Sequence, residues 1–166
     1  MSKQTSNKLL DFLISASLIN NDQLNLVNQS LVDGKKNLDE ILVELEILDP
    51  EKLTEIKASL SGLSYIDLSE IEIDDETLNI LPAEVANNYR AVCFRKEADE
   101  IQVGLLNADN IKAIEAIGFL AKKNGLRVKY FLISKLSFEI AFKKYQTVNK
   151  EITSALELKA KEDEEE

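Results

Sequence analysis

A chain with no histidine, no tryptophan and a single cysteine has little with which to do acid–base or nucleophilic chemistry. No remaining side chain titrates near neutrality unless strongly perturbed, so proton transfer would fall to a shifted Glu, Lys or Cys. Histidine triads and histidine-ligated zinc are excluded, and Cys93 alone cannot make a four-thiolate site or an intrachain disulfide. Cys93 stands in an apolar run with no base beside it, the pattern of a buried, inert thiol. Asp74, Asp75 and Glu76 could hold a divalent cation, but acids at a helix start already answer the helix dipole, and that reading is preferred. A phosphate-binding loop needs two glycines five positions apart, followed by Lys and Ser or Thr. The five glycines, Gly34, Gly62, Gly104, Gly118 and Gly125, contain no such pair and no dinucleotide-binding turn. An independent enzyme is not expected, and neither is a metal site.

Charge is the other usable feature. Among 166 residues, 20 are Lys or Arg and 30 are Asp or Glu, a formal net charge of −10 that disfavours nucleic acid as a partner. One stretch departs from this. Residues 112–144 hold eight basic residues against Glu115 and Glu139, a net charge of +6. Segregation on that scale suits an acidic protein surface or phosphate, and Lys122, Lys123, Arg127 and Lys129 are the candidate contact residues for a protein partner. The final ten residues hold six acids against two lysines, a solvated run that cannot pack.

These residues must be carried by elements of a modest size. The length suits one domain or two small lobes, and 45% apolar residues can form a core. No apolar run approaches the ~20 residues that span a bilayer, and the polar N-terminus is unlike a signal peptide. With its free Cys, the chain is expected in the cytoplasm, without direct membrane insertion.

The first sixty residues read as helices. Asn20 and Gln23 form a plausible capping box. Asp49-Pro50-Glu51 combines a cap, an N1 proline and a first-turn acid, and Gly34 suits a helix end. A repeat recurs at an offset of 29 residues: Leu9 with Leu38, Leu13 with Leu42, Asn20 with Asp49, Leu24 with Leu53, Leu31 with Leu60. Two helix–turn–helix copies packed face to face explain it.

Beyond them, 65–68 is extended, and short helices start at Asp74 and Pro82. Residues 89–94 and 100–106 form an antiparallel hairpin. Helix 111–123, strand 127–133 and helix 136–145, capped by Ser134, complete the order. The expected fold is α+β, a mixed α/β arrangement. A helical lobe spans 1–62, with repeats at about 8–33 and 37–61. An α/β lobe of strand–strand–helix–strand–helix order spans 63–145, and a polar acidic linker or tail spans 146–166.

The two helix–turn–helix copies are followed by Gly-Leu-Ser-Tyr-Ile-Asp-Leu (62–68), Leu-Pro-Ala-Glu-Val-Ala-Asn-Asn-Tyr-Arg-Ala-Val (81–92) and Ile-Gln-Val-Gly-Leu-Leu-Asn-Ala-Asp-Asn (101–110). This succession resembles the N-terminal, MshEN-like domain of the type II secretion and type IV pilus assembly ATPases, the family of GspE, PilB and MshE. An Asp-Pro turn of that family is replaced here by Asp109-Asn110. The resemblance implies a non-catalytic docking and regulatory domain with an ATPase core in cis. The implied partners are the inner-membrane platform or a cytoplasmic adaptor protein, so the domain would sit at the inner membrane through them.

Some members of the family bind cyclic di-GMP through Arg-Leu-Gly, a second Gly and a terminal Gln in each repeat. The matching positions here are Lys8, Leu10, Ser17 and Leu31, then Asn37, Asp39, Glu46 and Leu60. Every discriminating residue is changed, and Asp39 and Glu46 put acids where a dianionic ligand would lie. No cofactor is therefore expected, cyclic di-GMP included. A receptor with diverged contacts, bearing Lys8 and Lys36 near the ligand, is the alternative.

Overall fold

Four amphipathic helices, each too short to bury its apolar face alone, open the chain. The computed structural model describes residues 3–165, leaving aside the side chains of 148, 149, 152 and 162–165. The helices are α1 (Lys3–Ser15), α2 (Asn21–Val32), α3 (Leu38–Glu44) and α4 (Pro50–Ser61). The repeat survives in three dimensions, because its equivalent positions are buried together. Leu9 and Leu38, Leu13 and Leu42, Ile19 and Leu48, and Val27 and Ile56 share one cluster. Each fully buried side chain of this kind contributes ~1.5–3 kcal/mol.

The caps form as their residues dictate. Asn20 accepts from the Gln23 amide at 2.8 Å and Gln23 accepts from the Asn20 amide at 3.0 Å. Asn37 and Glu40 make a second capping box that the sequence reading did not single out. Asp49 accepts from the amides of Glu51 and Lys52 ahead of Pro50. Gly62 ends α4 at φ 71°, a conformation other residues adopt only with strain.

The second lobe runs β1 (Ser64–Tyr65), α5 (Asp75–Leu78), α6 (Ala83–Tyr89), β2 (Ala91–Glu97), β3 (Glu100–Leu105), α7 (Ile111–Lys123), β4 (Arg127–Leu132) and α8 (Lys135–Glu165). The sheet order is β1-β4-β3-β2. β2 and β3 are an antiparallel hairpin, and β4 inserts parallel to both β3 and β1. Strand alternation sends Ile101, Val103, Leu105 and Cys93 under α7. Phe94, Phe131 and Ile133 face α8 instead. Gly104 is needed where it stands, because a Cβ there would lie 2.7 Å from Ile133 Cγ2. The Tyr145 hydroxyl, 2.6 Å from the Leu78 carbonyl and 2.7 Å from that of Leu81, pins α8 to the short helices.

Two elements differ from expectation. β2 continues through Lys96 and Glu97, leaving Ala98 (φ 51°) and Asp99 as the hairpin turn. α8 runs twenty residues past Tyr145, because no Gly or Pro follows Gly125 to stop it. Every described side chain from Gln146 to Lys161 is exposed. The side chains of the closing acidic run, 162–166, lie outside the described residues.

Candidate functional site

The Thr5 hydroxyl donates to Asp109 Oδ2 at 2.6 Å, joining α1 to the loop that leaves β3. Clefts open on both sides of this contact. The first, of about 540 Å³, is lined by Lys3, Ser6, Asn7 and Leu10 of α1, Leu31 of α2, Asn37, Leu38 and Asp39 at the start of α3, Lys57 of α4, and Leu106 and Asn107. The second, of about 400 Å³, is lined by Thr5, Lys8, Leu60, Ser61, Leu63, Ala108, Asp109, Ile114 and Tyr130. Six of the eight repeat positions thus converge on one helix: Leu10, Leu31, Asn37 and Asp39 on one side, Lys8 and Leu60 on the other. Lys36 does not line either cleft and pairs with Glu44 at 2.6 Å.

Ser17 and Glu46, the remaining two, are exposed in the turns after α1 and α3, outside both clefts. Their backbones share a left-handed conformation, φ 55° and 53°. The repeat therefore keeps the backbone that glycine would favour, now carried by two residues with a Cβ.

The first cleft is rich in hydrogen-bond donors, for a countable reason. Asn37 Oδ1 is taken by the Glu40 amide at 3.0 Å, and Asn107 Oδ1 by the Asp109 amide at 2.9 Å. Each side chain is left with its NH2 group, and Lys3 adds an ammonium to the lining of the same cleft. Asp39, an acid within the same cleft, is ion-paired to Lys57 of α4. Its second oxygen, Oδ1, is buried without a hydrogen-bond partner. Donors and a neutralised acid suit a ligand that brings acceptor oxygens, as a phosphodiester does. Lys3, Lys57, Asn7 and Asn107 were missed by the motif reading. Asn107 lies in the Asn- and Asp-rich turn ahead of α7, whereas the Asp39–Lys57 pairing across 18 positions left no trace in the sequence.

The candidate contact residues for a partner do not form one patch. Lys122 and Lys123 are exposed in the last turn of α7. Arg127 and Lys129 alternate with Val128 and Tyr130, which pack under α7, so they project from the other face of the sheet. Arg127 is held by Asp99 at 3.0 Å, and Lys129 lies 5.3 Å from the centroid of the Phe131 ring.

Cys93 is buried, and burial pushes its thiol up to about 12, leaving no thiolate at neutral pH. Asp74 caps α5, accepting from the Thr77 amide at 2.8 Å and its hydroxyl at 2.9 Å.

Comparison with known proteins adds a family. The model of the MshEN domain matches residues 61–150. The chain is 22% identical over 140 residues to the type IV pilus assembly ATPase PilB of Myxococcus xanthus, covering 84% of this chain and 24% of the relative. It is 25% identical over 135 residues to the type IV pilus assembly ATPase PilB of Thermus thermophilus, covering 80% and 15%. The chain thus spans a quarter or less of these relatives' length. Among solved structures, MshE with cyclic di-GMP superimposes with a TM-score of 0.68 at 20% identity, covering 82% of this chain and 97% of that one. The N-terminal domain of XpsE follows at 0.57 and 13% identity, covering 87% and 98%.

The MshE structure corrects the expectation that no cofactor, cyclic di-GMP included, goes with this domain: the same fold is seen with that ligand. The geometry shows where the expectation failed. It counted Asp39 and Glu46 as repelling a dianion, yet Lys57 neutralises Asp39 and Glu46 stands outside both clefts.

Proposed function

The chain belongs to the MshEN domain family, and from that premise we propose that it is a non-catalytic regulatory domain of a type IV pilus assembly or type II secretion ATPase. In this reading it responds to cyclic di-GMP held in the clefts beside α1. The observation that carries the reading is the convergence of six repeat positions on those clefts, with donors facing the larger one. Lys3 and Lys8 stand in for arginine as point charges toward the phosphodiesters, without arginine's bidentate fork. Asn7, Asn37 and Asn107 supply amides toward base edges.

Calorimetric titration with cyclic di-GMP tests the proposal. Saturable binding is expected, weakened about tenfold or more in Lys3→Glu/Lys8→Glu, where two attractive charges become repulsive. Both side chains are exposed, so the fold should tolerate the change. Absence of heat, or binding indifferent to the double substitution, overturns it.

Docking is the second reading, favoured by the concentration of positive charge in 112–144. The domain would connect a motor to the inner-membrane platform or a cytoplasmic adaptor, remaining cytoplasmic and reaching the membrane through that partner. Lys122, Lys123, Arg127 and Lys129 remain its proposed contacts. Among the described residues, no helix is long and apolar enough to cross a membrane.

A further inference from the structure

We propose that Asp39 reads a guanine base in the larger cleft, accepting from the donors on that base's edge. This selection rests on the proposed nucleotide binding, to which it adds the residue that chooses the base. Among the described residues, Asp39 is the one carboxylate lining this cleft, and its side chain is 28% exposed. One of its oxygens, Oδ2, accepts from the ammonium of Lys57. The other, Oδ1, is shielded from solvent and has no hydrogen-bond partner. A want of donors does not explain this, because the same cleft holds the NH2 groups of Asn37 and Asn107 and the ammonium of Lys3. The fold leaves an acceptor open among donors, and an acceptor of this kind calls for a donor from whatever fills the cleft.

A phosphodiester cannot supply that donor. It brings acceptor oxygens, which Lys3 and the amides serve and a carboxylate repels. A base edge is different. Guanine presents adjacent donors, N1–H and the N2 amino group, on its Watson–Crick edge. A carboxylate is acceptor-only, with about four lone-pair sites on its two oxygens, so Oδ2 can keep Lys57 while both oxygens take the base donors. Adenine offers only its N6 amino group there, beside an N1 acceptor that would face the carboxylate lone pairs. The terminal torsion of an aspartate is broad, so a small turn of the carboxylate brings Oδ1 to the ligand. Lys57 serves the same selection, because its charge cancels that of Asp39 toward a phosphodiester nearby while Oδ1 stays open. Leu10, Leu31 and Leu38 supply apolar surface for the plane of the base.

Calorimetric titration of the whole chain with cyclic di-GMP and with cyclic di-AMP tests this, since the two share a phosphodiester ring and differ in the base. Tighter binding of cyclic di-GMP, by about tenfold or more, is expected. Asp39→Asn should lose about tenfold in affinity for cyclic di-GMP and little for cyclic di-AMP, because an amide suits adenine's paired donor and acceptor. The comparison of the two ligands on the unaltered chain stands even if the variant folds poorly. Equal affinity for the two ligands, or an equal loss of both in the variant, overturns the selection by Asp39 and leaves the nucleotide reading standing. Binding of neither ligand overturns that reading, and the selection with it.

Discussion

Ser17 and Glu46 hold left-handed backbones while their side chains point to solvent, so replacing them removes strain and little else. Ser17→Gly and Glu46→Gly should each stabilise the fold by about 1 kcal/mol, the order of the left-handed penalty for a residue with a Cβ. Urea unfolding measures this, and a loss of stability in either variant would contradict it. Asp74 gives a pH dependence. The Thr77 amide, seconded by its hydroxyl, holds the Asp74 carboxyl below its usual value, which is ~3.9 in the unfolded chain. With the folded value the lower, its contribution is present above the unfolded value and lost as pH falls through the folded one. Asp74→Asn should therefore flatten the acid limb of the stability profile below about pH 4, and a thermal midpoint series from neutral to acidic pH shows it. At this scale the sequence was legible where chemistry is local. Asn20, Asp49 and Ser134 signal their caps within four positions. The Asp39–Lys57 pair depends on how α4 returns to α3, and reading Asp39 without its partner produced the mistaken charge argument about the ligand.

Elements with strong punctuation were readable for the same reason. Pro50, Gly62 and Asn124-Gly125 bound their helices, and the alternation in 100–105 marks a strand that turns Ile101, Val103 and Leu105 to the core. α8 lacked punctuation, and its apolar pattern fades after Tyr145 although nothing breaks the backbone. Lys, Glu, Ala and Leu continue a helix without a core to hold it. Ser154→Pro should then remove helical circular dichroism from the extension while leaving the thermal midpoint of the body unchanged. A lowered midpoint would mean that the extension packs on the body. The exposed Phe119 was equally invisible, because an apolar residue on an amphipathic helix reads as core until its direction is known.

Across the whole molecule, one carboxylate ties the lobes together. Glu51, in the first turn of α4, accepts hydrogen bonds from the Tyr65 hydroxyl of β1 and the Ser134 hydroxyl before α8. Burial, then the bond to Glu51, raises the Tyr65 phenol well above its ordinary value. Glu51→Ala leaves two hydroxyls without this acceptor and should cost about 1–3 kcal/mol. Glu51→Gln keeps an acceptor and should cost less, as chemical unfolding can show. Holding the lobes in place keeps α3 and α4 opposite the 106–109 loop, so the clefts beside α1 depend on this contact as well as on Thr5–Asp109. Neither connection has a local signature, which is why the repeat positions could be found in the sequence but not their meeting place. The most direct measurement is an NMR titration of the isotope-labelled chain with cyclic di-GMP. Saturating shifts confined to α1, the start of α3, Lys57 and the 106–109 loop are predicted. An unperturbed spectrum, or shifts centred on α7 and the sheet, would contradict the account.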